Sequence, residues 1–291
     1  MTVPFDIGSA YRKVYQLMEW SRYREALEEA QSLIAETPED ADAYALLGQV
    51  YLRMEKYEEA LKWSQEALKV DPENKLGWFV RVFAYHDNGN RKDLPGAIEE
   101  ALRVDPYEAQ YFYLKANLSS EKGKFEEARE HLEQGLALLP ENPVFLAFAA
   151  YLEALLKNDE GSRSLERQAL RLSDESSRVF LYLGWAAGQR SDYERETEFL
   201  KNAIRLDPDN EQIRKEYLES LQKSYAFYRF FLYPIKLIRK LKPWQLFLSW
   251  FVLFLLFRPI IVLLIILYIA SHWGTKLLVH VKVFGWRSRR K

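Results

Sequence analysis

A period of 34 residues runs through residues 7–210 of this 291-residue chain and limits its fold more than any other feature. The clearest copy is 41–74, ADAYALLGQVYLRMEKYEEALKWSQEALKVDPEN, with landmarks at Leu47-Gly48, Tyr51, Tyr57, Ala60, Ala67 and Pro72. Stepping by one period keeps the register. Residues 7–40 supply Tyr23, Ala26 and Pro38, and 75–108 supply Trp78, Tyr85, Gly89, Ala101 and Pro106. Residues 109–142 supply Ala116, Gly123, Phe125, Ala128 and Pro140, and 177–210 supply Gly184, Tyr193, Ala203 and Pro208. The unit 143–176 is weakest, with Ala150 and Ala169 but Asp174 where proline recurs elsewhere.

Each unit reads as two amphipathic helices, with small residues such as Gly48, Ala60 and Ala67 where helix backbones must approach. Asp-Pro at 71–72, 105–106 and 207–208 ends the second helix, because proline disfavours helix in the residue before it. No unit can bury its apolar face alone, so neighbours must stack into a right-handed solenoid with a concave groove. The third unit departs from the pattern: Val82 stands where glycine is usual, and Asp93-Leu94-Pro95-Gly96 predicts a distorted turn. Residues 1–6 are a short lead. Residues 211–223, EQIRKEYLESLQK, predict a capping helix with a polar outer face, or a helix leading into the tail.

The landmarks resemble the tetratricopeptide repeat family, in six units at 7–40, 41–74, 75–108, 109–142, 143–176 and 177–210. The resemblance implies an all-α solenoid whose first helices line the groove through the second, fifth, ninth, twelfth and thirteenth positions of each unit. Those positions include Tyr11, Tyr15, Gln49, Arg53, Phe79, Phe83, Tyr113, Asn117, Tyr151, Arg178 and Trp185. Aromatic residues offer large contact area at low entropic cost, so a protein partner, as extended peptide or helix, is the expected occupant. Packing between neighbouring helices is the competing role for any one of them. The family's carboxylate-clamping set of Lys, Asn and Arg is missing: Asn117 is suitably placed, but Tyr113, Tyr151 and Phe148 cannot replace cations. A chaperone-tail receptor is disfavoured.

Charge divides the chain. Residues 1–210 hold 26 Lys/Arg and 39 Asp/Glu, a net −13, whereas 211–291 hold 15 and 3, a net +12. Residues 244–270, WQLFLSWFVLFLLFRPIIVLLIILYIA, are apolar at the length that crosses a bilayer, apart from Arg258-Pro259. One kinked span would leave Arg258 near mid-depth, at a cost of at least ~2.5 kcal/mol. The alternative is a hairpin with its tip at Arg258-Pro259 and arms at 244–257 and 260–273. Each arm is about 21 Å long as helix, short of a ~30 Å core. Lys223, Arg229, Lys236, Arg239, Lys240 and Lys242 precede the apolar block, and Lys276, Lys282, Arg287, Arg289, Arg290 and Lys291 follow it. Equal flanks favour the hairpin, with both ends on the cytoplasmic side. The expected layout is therefore a basic aromatic interfacial segment at 224–243, a membrane-inserted segment at 244–273 and a basic tail at 274–291. Arg239, Lys240, Lys242, Trp244, Arg258, Trp273 and Lys276 would lie at the membrane boundary, facing anionic lipids. Nucleic acid is not expected as a partner, given the nearly uncharged apolar block.

The chain has no cysteine and four histidines, His86, His131, His272 and His280, none at a helical metal-ligand spacing. The pairs Glu28-Glu29, Glu58-Glu59, Glu99-Glu100 and Glu126-Glu127 recur on the second helix of their units, before or after its alanine, which reads as a solvated helix face. His86 beside Asp87 reads as a hydrogen-bonded surface residue. No phosphate loop, catalytic triad order or metal motif is present, so neither catalysis, cofactor nor metal is expected. The N-terminus, MTVPFDIGSAYRKV, predicts no cleaved signal, and a bacterial inner membrane is the expected site. These features predict a membrane-anchored scaffold that recruits a protein to a membrane complex. The rivals are a membrane-shaping tail with the repeats serving homo-oligomerisation, and an assembly or quality-control factor for a membrane enzyme.

Overall fold

Polar caps set where the helices begin. In the computed structural model, which describes residues 7–172, 176–225, 244, 245, 247, 248, 251 and 258–284, the first helices start at Ile7, Ala41, Lys75, Ala109, Pro143, Ser177 and Glu211, always 34 residues apart. The pairs are α1 (Ile7–Glu19) with α2 (Tyr23–Glu36), α3 (Ala41–Arg53) with α4 (Tyr57–Val70), and α5 (Lys75–Asp87) with α6 (Leu94–Val104). There follow α7 (Ala109–Glu121) with α8 (Phe125–Leu138), α9 (Pro143–Leu155) with α10 (Asp159–Leu172), and α11 (Ser177–Gln189) with α12 (Tyr193–Leu206). Two further helices are α13 (Glu211–Ser224) and α14 (Arg258–Phe284). No strand occurs among the described residues. At three starts an asparagine caps the helix: Asn74 accepts from Gly77 N at 2.7 Å, Asn142 from Val144 N at 3.0 Å, and Asn210 from Ile213 N at 3.2 Å.

The turn inside each repeat is a left-handed helix end. Ser21, Glu55, Gly89, Gly123, Lys157 and Ser191, again 34 apart, all have positive φ, from 57° to 74°. Around Glu55 the N–H of Lys56 reaches the Tyr51 carbonyl and that of Glu55 the Leu52 carbonyl, both at 3.0 Å. This is the double bond pattern of a Schellman end. The third unit keeps that pattern at Gly89 but starts its second helix three residues late, so residues 88–93 separate α5 from α6. Asn90 steadies the longer turn by accepting from Asp93 N at 3.2 Å, Pro95 sits in the first turn, and α6 is shortened to 11 residues. The distortion expected from Asp93–Gly96 is present.

The chain divides into two compact units, residues 1–122 with 130–138, and residues 123–129 with 139–291. In the first, Val14, Leu17, Leu33, Leu46, Leu47 and Val50 form one cluster, and Ala60, Val80 and Ala84 form another. Gly48 faces the second cluster, where a Cβ would lie 3.2 Å from Val80 Cγ1 and 3.3 Å from the Ala60 carbonyl oxygen. In the second unit Phe145, Phe148, Leu152, Leu183 and Leu200 are fully buried, with Phe148 stacked on Tyr182 at 4.8 Å. Glu166 and Arg190 form a buried ion pair there, and Ser162 accepts from the same guanidinium.

α13 packs on α12, burying Ile213 and Ser220, and α14 packs on α13. Along α14 the buried stripe is Ser271, Thr275 and Val279, small residues four apart that permit close approach. No helix among the described residues is long and apolar enough to cross a membrane. In α14 the apolar run Ile265–Ala270 gives way to Ser271, His272, Gly274, Thr275 and Lys276. The arm expected at 260–273 continues as helix to Phe284, through residues assigned to the basic tail. The lead 1–6 and residues 226–243 of the interfacial segment expected at 224–243 lie outside the described residues. So do most of the first arm 244–257 and residues 285–291.

Candidate partner-binding surfaces

Residues of α3 and α5 converge in the first unit on an open cavity of about 750 Å³, lined by Gln49, Arg53, Phe79, Phe83, His86 and Gln110. Phe79 and Phe83, one helical turn apart, tilt together with ring centroids at 4.4 Å, and His86 meets the edge of Phe83 at 6.4 Å. His86 Nδ1 lies 2.7 Å from Asp87 Oδ1, and Arg91 at the rim is 2.7 Å from Glu121. Gln49 Oε1 is enclosed without a hydrogen-bond partner among the described residues, and Arg53 is exposed. Four residues named from the repeat phase, Gln49, Arg53, Phe79 and Phe83, thus share one wall.

The other aromatics of this unit are elsewhere. Tyr11 donates its hydroxyl to Asp40 Oδ2 at 2.7 Å, tying α1 to the residue that caps α3. Burial, then that carboxylate, pushes the Tyr11 hydroxyl far above its ordinary range, and burial does the same less strongly for Tyr15. Tyr15 is nonetheless 41% exposed, whereas Tyr113 is 6% exposed and belongs to the interior. Asn117 turns onto its own helix, donating to the Tyr113 carbonyl at 3.0 Å.

In the second unit Tyr151 and Trp185 meet at 5.4 Å between ring centroids. They line a cavity of about 440 Å³ with Gly188, Tyr193, Glu196, Glu216 and Lys223. Arg178 is exposed and does not join them. Lys223 Nζ lies 2.6 Å from Glu196 Oε1, while Glu196 Oε2 is buried without a hydrogen-bond partner among the described residues. Glu216 accepts a hydrogen bond from Trp185. Burial holds both carboxylates above their ordinary range, although Lys223 pulls each down; Glu219 adds to the rise in both.

The repeat phase did not point to Glu196, because glutamates on the second helices read as solvated, and Glu58, Glu59, Glu99 and Glu100 are indeed exposed. Column comparison within the sequence could have found it. One, two and more periods earlier stand Ser162, Ala128, Leu94, Ala60 and Ala26, all fully buried or nearly so. A glutamate in that small, apolar column is a buried acid. Gly188 makes room for it, since a Cβ there would come within 2.9 Å of the Glu196 carboxylate.

Of the residues assigned to a membrane boundary, Arg239, Lys240 and Lys242 lie outside the described residues. Trp244 and Trp273 are exposed, and Arg258 opens α14. Lys276 borders a cavity between α13 and α14 together with Glu211, Glu219 and His272. Among the described residues, no three His, Asp or Glu side chains gather as metal ligands.

Helix pairs at constant period, each ending its first helix in the same left-handed turn, define an all-α repeat solenoid. Residues 41–74 match a family model described as tetratricopeptide repeat, and residues 109–142 match a second model so described. No curated protein sequence matches the chain. Among solved structures it is similar to the hetero-tetramer Cut9-Hcn1 of the APC/C, at 18% identity and TM-score 0.65 over 76% of this chain. The chain spans 44% of the length of that structure's chain. It is also similar to PilF of Pseudomonas aeruginosa, at 18% identity and TM-score 0.60, over 73% of this chain and 95% of that one. A tetratricopeptide repeat protein of Parabacteroides merdae aligns at 14% identity and TM-score 0.50, over 74% and 98%. At these identities the likeness concerns the fold.

Proposed function

We propose that this chain is a tetratricopeptide-type scaffold that binds a protein partner on its first-helix surfaces and holds it at a membrane. One observation carries the reading: Gln49, Arg53, Phe79 and Phe83, from two successive repeats, line one cavity with paired aromatic rings and an unsatisfied amide oxygen. The phenylalanine pair lies in an open cavity among charged and amide side chains, Arg53, His86, Asp87, Arg91, Gln49 and Gln110, which suits a peptide or short helix better than a small substrate that would call for an enclosed, mostly apolar pocket. Proteins with such repeats serve as interaction modules, and Cut9 is found with a second protein, Hcn1. No catalytic role is assigned to the chain.

Membrane attachment rests on the tail. Ile265, Ile266, Leu267, Ile269, Trp273, Leu277 and Leu278 of α14 are all at least 40% exposed, on a helix whose buried side chains among the described residues are Ser271, Thr275 and Val279. Exposed apolar surface on that scale calls for a cover, and the net +12 of residues 211–291 favours an anionic leaflet as the cover. The repeats would then lie on the cytoplasmic side.

The test is co-purification after crosslinking in cells, comparing the wild-type chain with Phe79→Ala/Phe83→Ala. The double variant should keep its melting temperature and lose the partner that the wild type recovers. Equal recovery of that partner would overturn the groove reading. Membrane attachment is tested separately by sedimentation with phosphatidylglycerol vesicles, and a chain that stays in the supernatant would refute it.

A further inference from the structure

Among the described residues that line it, the cavity of the second unit sets two carboxylates, Glu196 and Glu216, against the single cation Lys223, with Lys215 acting on Glu216 from outside the lining. Glu196 comes from α12 and Glu216 from α13, and both face a space walled by Tyr151, Trp185 and Tyr193. Lys223 is the cation at its margin, and it is committed to Glu196 Oε1 at 2.6 Å. Glu196 is 4% exposed, yet its second oxygen has no hydrogen-bond partner among the described residues. A buried carboxylate oxygen left in that state is costly, and a small turn of the Glu196 carboxylate towards a donor entering the cavity relieves the cost. That both carboxylates resist ionisation, chiefly through burial, is the electrostatic sign of the same shortage.

We propose that this cavity receives the guanidinium of an arginine presented by the protein partner, lying against the Tyr151–Trp185 wall and donating to Glu196 and Glu216. The ligand is an arginine rather than a lysine because of the way the acceptors are distributed. They sit on two helices beside aromatic faces, and an ammonium already holds the position nearest Glu196 Oε1. A planar guanidinium donates in its own plane in several directions while its face stacks on a ring. An ammonium is a point donor and would duplicate Lys223. The volume of about 440 Å³ admits the head group and its methylene stem. Gly188 keeps the floor low enough for the Glu196 carboxylate to remain at the cavity wall. This inference rests on Tyr151 and Trp185 being partner-facing, and it adds which side chain of the partner they accept.

The probe is N-acetyl-arginine amide, titrated into the full chain in detergent micelles with 5-fluorotryptophan incorporated. Trp185→Phe identifies the Trp185 fluorine resonance. That resonance should shift saturably with the arginine amide and stay in place with the uncharged citrulline analogue. Glu216→Gln, at a half-exposed site, should weaken the arginine response about tenfold. Glu196→Gln should do the same provided circular dichroism shows the native melt. An equal response to citrulline or to N-acetyl-lysine amide overturns the proposal, and so does no response to arginine. If arginine leaves Trp185 unmoved while Phe79→Ala/Phe83→Ala still abolishes partner recovery, this inference falls and the groove reading stands.

Discussion

Glu55, Lys157, Ser21 and Ser191 occupy a backbone conformation that costs an L-residue roughly 1–2 kcal/mol, in turns where Gly89 and Gly123 occupy it freely. Glu55→Gly and Ser191→Gly should therefore each stabilise the chain, by about 0.5–1 kcal/mol after the extra unfolded-state entropy of glycine is subtracted. Gly123→Ala should destabilise it by about 1 kcal/mol. Urea unfolding of the three variants checks all three signs. The position was half legible: Gly89 and Gly123 stood out as landmarks, but the side chains at 21, 55, 157 and 191 gave no hint of a left-handed residue. A second residue-scale expectation follows from Glu216, whose carboxyl is held above its ordinary value of 4.5 chiefly by burial. A raised carboxyl favours the folded state below the unfolded pKa and loses that contribution as pH rises through the folded one. Glu216→Gln removes the penalty, so its stability relative to wild type should be lowest in acid and rise through the carboxylate range towards neutrality. Parallel melts from about pH 4 to about pH 7 would show a flat difference if burial did not raise the Glu216 carboxyl.

At the scale of helices, the period sets the start of every first helix, because the turn and cap chemistry recurs with the apolar pattern, while α6 begins three residues late. What the period concealed was which copies break the core columns. Glu166 stands in the column of Leu200, Leu132, Ile98, Ser64 and Ala30, all buried, and is itself fully buried against Arg190, the residue that caps the C-terminus of α11. Arg195 Nη1 approaches its other oxygen at 2.8 Å, so one carboxylate links α10, α11 and α12. Deleting one partner of such a pair leaves an uncompensated buried charge, so Glu166→Ala should cost about 3–5 kcal/mol. Glu166→Leu/Arg190→Met should recover much of that loss, since an apolar replacement of the whole pair removes both desolvation costs. A double variant no more stable than Glu166→Ala would mean that Arg195 or Ser162 carries the link instead. This polar junction lies in the unit with the weakest repeat landmarks. Specific side-chain contacts there take over from the small-residue packing seen at Gly48 and Ala60.

At the scale of the whole chain, the charge split and the apolar tail were readable at once, but the division of labour along α14 was not. A hydropathy reading treats residues 260–273 as one arm, whereas the helix runs from Arg258 to Phe284 and buries its small polar residues Ser271 and Thr275. Ser271 and Thr275 look like interruptions of an apolar segment; in the fold they are its packing stripe, with the Thr275 hydroxyl returned to the Ser271 carbonyl at 2.8 Å. The two faces of α14 therefore make opposite predictions. Ile266→Asp and Leu278→Asp place charge at positions 57% and 54% exposed, so neither should lower the melting temperature of the repeats. If those faces meet lipid, each should sharply reduce sedimentation with phosphatidylglycerol vesicles, because a carboxylate at the headgroup–acyl boundary opposes both apolar burial and the attraction of the basic tail. Thr275→Phe, by contrast, should lower thermal stability by overpacking a buried position, by about 1–3 kcal/mol. Undiminished vesicle binding in both aspartate variants would show that α14 meets a protein and not a bilayer, and the basic residues flanking it would then be the place to look for that partner's acids.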